Sequence, residues 1–118
     1  MANFFQKLFG PPVADITVDE AQKRSRIKSS SRPYLLDVRR PGEYKSGHAP
    51  SAKLIPLHEL RQRMSELPEN REIMVICATG RRSKKATKQL LRAGYNAVNV
   101  SGGMMAWGRA KHPVRTKK

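Results

Sequence analysis

Cysteine is nearly absent from this chain, and acidic residues are few. One cysteine, Cys77, occurs in 118 residues, and 9 Asp and Glu stand against 24 Lys and Arg. A single cysteine excludes an intrachain disulfide, a four-cysteine zinc site and a Cys-x-x-Cys redox pair. It fits a reducing, cytoplasmic setting. Aromatic residues make up only 6% of the chain, which leaves few platforms for stacking single-stranded bases. No run approaches the roughly 20 apolar residues of a membrane span. The opening MANFFQKLFGPP lacks the long apolar core and small-residue cleavage pattern of a secretory signal. No cluster of His, Asp and Glu points to a metal, no motif calls for a cofactor, and no internal repeat is visible.

What is present is positive charge. The net charge of +15 draws anions, from small oxyanions to nucleic acid or membrane headgroups. No nucleic-acid-binding motif accompanies it, so RNA or DNA is not the expected partner. The length suits one domain with a single core, burying roughly two thirds of its unfolded surface.

Residues 1–12 form an amphipathic apolar segment, with Phe4, Phe5, Leu8 and Phe9 on one helical face and Gly10-Pro11-Pro12 as its stop. That face has three candidate partners: the domain itself, a second copy in a homodimer, or a membrane surface. Residues 13–110 form the domain. A short strand precedes a helix that starts at Thr17, with Glu20 completing a capping box. YLLDV (34–38) reads as a strand covered on both faces. A turn-rich stretch leads to a short strand at 53–55, ended by Pro56. Leu57, Leu60, Met64 and Leu67 then predict a helix ended by Pro68. EIMVIC (72–77) is a strong strand, Ser83 to Ala93 a helix stopped by Gly94, and NAVNV (96–100) a strand. MMAWGRA (104–110) is a final short helix. Residues 111–118 are a basic tail expected to fray. Strands and helices alternate without hairpin signals. This predicts an α/β fold: a central parallel sheet of about five strands with helices on both faces. Sites in such sheets lie beyond the carboxyl ends of the strands, where Cys77 falls.

Read alone, a lone cysteine closing an apolar strand is an inert buried thiol. Its surroundings change that reading. Cys77 precedes a helix N-terminus, whose free N–H groups favour negative charge. Arg81 and Arg82 follow closely, with Lys84, Lys85 and Lys88 behind. Gly80 lets the backbone curl so that successive N–H groups form an anion nest. All three features favour thiolate, the reactive form of cysteine.

Cys77-Ala78-Thr79-Gly80-Arg81-Arg82-Ser83 resembles the C-x-x-G-x-R-S loop of rhodanese-like sulfurtransferases. LLDVRRPGEYKSGHAPSAKLIP is similar to the family's D-V-R…E-[FY]…G-H-I-x-G-A-x-N-[IL]-P segment, and GGMMAW to its G-G-x-x-A-W close. The three motifs stand in family order over residues 14–110. Departures are Ala49 for isoleucine, Ser51 for glycine, and Lys53-Leu54 for x-Asn, all outside the cysteine loop.

The resemblance implies a single rhodanese-like domain that moves a sulfane sulfur through a Cys77 persulfide. The donor would be a small anion such as thiosulfate. The acceptor would be a thiol, a cyanide-like nucleophile or a protein. The loop from Ala78 to Ser83 would hold the charge, with Arg82 contacting the substrate anion and Arg81 and Lys84 next in line. Asp37 would orient neighbouring loops, Arg39 and Glu43 would form a structural ion pair, and His48 would make a structural hydrogen bond. His58 and His112 are expected at the surface. Rival readings are a sulfur-carrier or partner-binding module, and a phosphatase or arsenate reductase of the same superfamily. The latter enzymes use C-x5-R, whereas Arg82 makes this loop C-x4-R, with Ser83 where their arginine would stand.

Overall fold

The computed structural model describes residues 11–116. The Phe-rich face of the N-terminal segment lies outside the described residues. Five strands, β1 (Asp15–Ile16), β2 (Tyr34–Asp37), β3 (Lys53–Leu54), β4 (Ile73–Ile76) and β5 (Ala97–Val100), form one sheet in the order β1-β5-β4-β2-β3. Every pairing is parallel. Among the described residues the α-helices are α1 (Val18–Ser25), α2 (Pro41–Ser46), α3 (Leu60–Arg63), α4 (Arg81–Arg92) and, after the last strand, α5 (Gly103–Arg109).

The side-chain period of two splits the core into two layers. Leu36, Val38, Ile73, Val75 and Cys77 pack with Leu60, Leu67, Ala86 and Leu90 on the face covered by α3 and α4. Leu35, Met74, Ile76 and Val100 pack with Val18, Ala21 and Trp107 on the face covered by α1 and α5. The result is the α/β architecture read from the alternation of elements.

The topology places the site. β2 is followed in sequence by β3 on one side, and β4 by β5 on the other, so the connections diverge between β2 and β4. At such a switch point the loops leave a crevice beyond the strand ends. Val38 and Cys77 flank that crevice. They stand next to one another, since Val38 N–H donates to Ile76 O at 3.0 Å.

Three local expectations need correction. The predicted helix over 57–67 is broken into a 3-10 turn at Leu57–Glu59, α3, and a second 3-10 turn at Met64–Glu66. Its inward row of leucines survives. The tighter turns rise further per residue and let a short segment span the connection between its two prolines. At α1, Thr17 Oγ1 accepts from Glu20 N–H at 3.1 Å, but the Glu20 carboxylate binds Arg24 instead of completing the box. Residues 111–116, the described part of the C-terminal tail, dock instead of fraying. Arg115 exchanges two 2.8 Å backbone hydrogen bonds with His48, and Trp107 Nε1 donates to Pro113 O at 2.8 Å. His112 is likewise drawn in, bonding Asp19 Oδ1 at 2.7 Å and packing edge-on against Trp107.

Candidate active site

Cys77 follows the last residue of β4 and has no exposed surface. The chain then turns into α4. Gly80 makes the turn at φ 103°, and a Cβ there would lie 3.2 Å from Gly102 N. This left-handed turn brings the Gly80 N–H back to Cys77 Sγ at 3.1 Å. The start of α5 holds the loop from behind. Met104 N–H donates to Cys77 O at 2.8 Å, and Met105 N–H to Ala78 O at 3.0 Å.

A polar chain runs from the sulfur to the edge of the sheet, ending at the exposed Asp15 of β1. The Cys77 S–H faces Ser83 Oγ at 3.3 Å, Ser83 O–H donates to Asn99 Oδ1 at 2.6 Å, and Asn99 Nδ2 donates to Asp15 Oδ1 at 2.9 Å. Burial pushes the Cys77 thiol up. Hydrogen bonds from the Ser83 side chain and from the backbone N–H groups of Ser83, Gly80 and Thr79 outweigh it and hold the thiol below its ordinary value. The sequence credited the surrounding cations as well as the loop. In the structure Arg81, Lys84, Lys85 and Lys88 are exposed to solvent, and the polar groups bonded to the sulfur are the Gly80 N–H and the Ser83 hydroxyl.

Ser83 has one hydroxyl proton and two acceptors competing for it. In the thiol state it serves Asn99. In the thiolate state it must turn to Sγ, and Asn99 Oδ1 loses its donor. Two neighbouring substitutions are therefore expected to act in opposite directions. Ser83→Ala removes a donor and moves the inflection of Cys77 alkylation against pH upward. Asn99→Val frees the Ser83 proton for the sulfur and moves the inflection downward. Shifts of the same sign for both variants would contradict this competition.

Arg82 and Glu43 form a two-pronged ion pair, with Nη1–Oε1 at 2.8 Å and Nη2–Oε2 at 2.9 Å. Glu43 also accepts from Arg40 N–H at 2.9 Å. The Arg82 guanidinium beside it, together with that backbone bond, holds the Glu43 carboxyl down to about 2. The expected Arg39–Glu43 pair is absent. Arg39 turns inward to Asp37, with Nη2–Oδ2 at 2.8 Å, because the fully buried Asp37 carboxylate at the end of β2 is within its reach. Glu43, in the first turn of α2, faces α4 instead.

A model of the Rhodanese-like domain family matches residues 17–110. The chain belongs to the rhodanese-like family. A sulfurtransferase of Allochromatium vinosum is 35% identical over 98 residues, covering 82% of this chain and 92% of that one. A protein of Arabidopsis thaliana named thiosulfate sulfurtransferase 18 is 33% identical over 118 residues, covering 87% of this chain and 85% of its own. The crystal structure of a rhodanese-like domain protein from Staphylococcus aureus superposes with a TM-score of 0.80 at 33% identity, covering 90% of this chain and all of that one.

In this rhodanese-like domain the motif residues divide into two groups. Cys77, Ala78, Thr79, Gly80 and Ser83 build the loop. Asp37, Arg39 and His48 brace the segment that leads from β2 to β3. Arg39 Nη2 donates to Gly47 O at 2.7 Å, and the His48 ring donates through Nδ1 to Tyr44 O at 2.7 Å while stacking on the Tyr44 ring at 3.7 Å. His58 is exposed beside Glu59. Asn99 and Asp15 escaped the sequence reading. The available signal was a lone amide inside the otherwise apolar strand NAVNV, where a buried polar group requires partners.

Proposed function

We propose that the chain is a sulfurtransferase in which Cys77 carries a sulfane sulfur from a thiosulfate-like donor to a thiophilic acceptor, in a reducing, cytoplasmic setting. The observation that carries this reading is the pair of polar groups converging on Cys77 Sγ: the Gly80 backbone N–H, which donates to it at 3.1 Å, and the Ser83 hydroxyl at 3.3 Å, which accepts from the thiol and can turn to donate to a thiolate, with no resolving cysteine in the chain. The Cys77 thiolate attacks the outer sulfur of thiosulfate. A new S–S bond forms to Sγ, the old one breaks, and its electron pair leaves on sulfite. The terminal sulfur of the persulfide then faces the N–H groups of the loop, which stabilise its charge without reorganising. An acceptor nucleophile attacks that sulfur, and the electron pair of the Sγ–S bond returns to Cys77. No external oxidant or reductant enters.

The exposed Arg81 and Lys84 steer the donor over the loop. Arg82, assigned to the substrate anion from the sequence, is held by Glu43 and ties α2 to α4. Replacing Arg82 by alanine frees the Glu43 carboxylate beside an anion site. It is expected to lower kcat/KM for thiosulfate by about tenfold or more, the scale of a lost charge-assisted bond of about 1.5–3 kcal/mol. Adding Glu43→Gln to Arg82→Ala should recover part of that loss. Equal losses in the single and double variants would leave Arg82 as a direct substrate ligand. The pair also sets a pH dependence. Glu43 lies at about 2 in the fold against an ordinary 4.5, so its contribution to stability is complete above about pH 4.5 and fades as pH falls towards 2. The gap in Tm between wild type and Glu43→Gln should close over that interval.

The test of function is thiocyanate formation from thiosulfate and cyanide, run beside hydrolysis of an aryl phosphate. Sulfur transfer without phosphate release is the expected result, because the loop from Cys77 to Arg82 is one residue shorter than the C-x5-R loop. Phosphate release would support the phosphatase reading. A Cys77 persulfide that passes to no small acceptor would assign the chain to the carrier role.

A further inference from the structure

The polar chain behind Cys77 has a direction, and its far end sets that direction. Asp15 and Asn99 are register partners on β1 and β5, so their side chains stand on one face of the sheet. Asn99 shares that face with Ala97 and Cys77, under α4, which carries Ser83. Asp15 lies at the exposed edge, whereas Asn99 and Ser83 are buried.

One arrangement of protons fits this line. An ionised carboxylate accepts and never donates, so Asp15 Oδ1 takes the amide Nδ2 of Asn99 at 2.9 Å. The amide is planar, and its other end, Oδ1, therefore faces Ser83 and accepts the Ser83 O–H at 2.6 Å. The single hydroxyl proton of Ser83 then points away from the sulfur. Towards Cys77 it offers a lone pair, which accepts the S–H at 3.3 Å. A charge-assisted hydrogen bond is roughly twice as strong as a neutral one, so the carboxylate decides which way the amide lies. Without a carboxylate at position 15 the amide is free to turn over. Nδ2 then donates to Ser83 Oγ, and the Ser83 O–H turns to the sulfur.

Building on the sulfurtransferase reading, we infer that Asp15 is a positioning residue for Cys77: acting through Asn99 and Ser83, it withholds the Ser83 proton from the sulfur and so sets the balance between Cys77 as attacking nucleophile and Cys77 as leaving group. Cys77 plays both parts in one cycle. In loading, its thiolate forms the Sγ–S bond, and sulfite leaves with the electron pair of the broken S–S bond. In discharge, the acceptor bonds the outer sulfur, and the electron pair of the Sγ–S bond returns to Cys77. A thiolate that lacks the Ser83 bond is more basic, attacks faster and leaves more slowly. Asp15 therefore favours loading over discharge. The charged groups that flank the site, Arg82 paired with Glu43 and Asp37 paired with Arg39, stay as they are in every variant used below.

The experiment follows Cys77 alkylation against pH in wild type, Asp15→Ala, Asp15→Glu, Ser83→Ala and Ser83→Ala/Asp15→Ala. It also times loading from thiosulfate and discharge to cyanide separately, at a pH where the thiol is fully ionised. Asp15→Ala should move the alkylation inflection down by about half to one pH unit, the scale of one net hydrogen bond. With a Brønsted slope of about 0.4–0.5, loading should slow about 1.5- to 3-fold while discharge quickens. Damage to the fold would slow both. Asp15→Glu restores the carboxylate and should keep the wild-type inflection. Adding Asp15→Ala to Ser83→Ala should shift nothing further, because the relay is already cut. A charge acting through space would instead shift the inflection in both backgrounds, and salt would shrink that shift. No shift in Asp15→Ala, a shift that persists without Ser83, or loading and discharge that change in the same direction would each overturn the inference and leave the sulfurtransferase reading standing. Absence of a Cys77 persulfide in wild type overturns the parent reading and this one with it.

Discussion

Replacing Cys77 by serine is expected to abolish sulfur transfer while leaving a folded protein. The substituted hydroxyl can accept from Gly80 N–H and donate to Ser83 Oγ as the thiol does, so stability should change by no more than about 2 kcal/mol. A serine hydroxyl is not ionised at neutral pH and forms no persulfide, and no second thiol exists to take over. Thiocyanate production at the rate of the uncatalysed reaction, with a melting curve close to wild type, is the expected pair of observations. Residual turnover in the purified serine variant would move the sulfur to some other group.

Gly103→Ala is expected to be the most damaging change away from the sulfur. Gly103 has φ 57°, and a Cβ there would collide with Cys77 O and lie 2.6 Å from the carbonyl carbon of Ala78. Both neighbours are backbone, so neither can swing away as a side chain would. The left-handed conformation and the close contact together should cost about 3 kcal/mol or more. For a domain of this size that lowers Tm by roughly 10–20 °C. The collision also breaks the bonds from Met104 and Met105 that hold the loop. A displacement of about 1 Å in positioned groups can cost about a hundredfold in rate, and kcat/KM for thiosulfate should fall on that scale even below the new Tm. Gly108 provides the control. It lies in the same helix with nothing within 4 Å of its Cβ position. Gly108→Ala should be neutral or stabilising by up to about 1 kcal/mol, with normal activity. If Gly103→Ala retains full activity below its Tm, the backing role of α5 is wrong.

The alternation of elements, the buried run IMVI and the strand-end position of Cys77 were legible in the sequence because each rests on local pattern. The α/β class and the sheet's parallel character follow from them. Side-chain pairings across the fold were not legible. The family resemblance implied that Arg39 and Glu43 are partners, yet their directions are set by different neighbours. Arg39 faces a carboxylate two residues back, whereas Glu43 faces an arginine 39 residues away. The chain from Ser83 through Asn99 to Asp15 joins three elements, one link spanning 84 residues, and no local spacing encodes it. The tail docks through partners at His48 and Trp107, and a basic terminal stretch gives no sign of them.

The most direct test of the central claim is the intact mass of the protein after incubation with thiosulfate. Wild type should gain the mass of one sulfur atom, cyanide should remove it, and Cys77→Ser should show neither change. Wild-type protein that gains no sulfur from thiosulfate, or a serine variant that gains it equally, would contradict the assignment of Cys77 as the sulfur-carrying nucleophile.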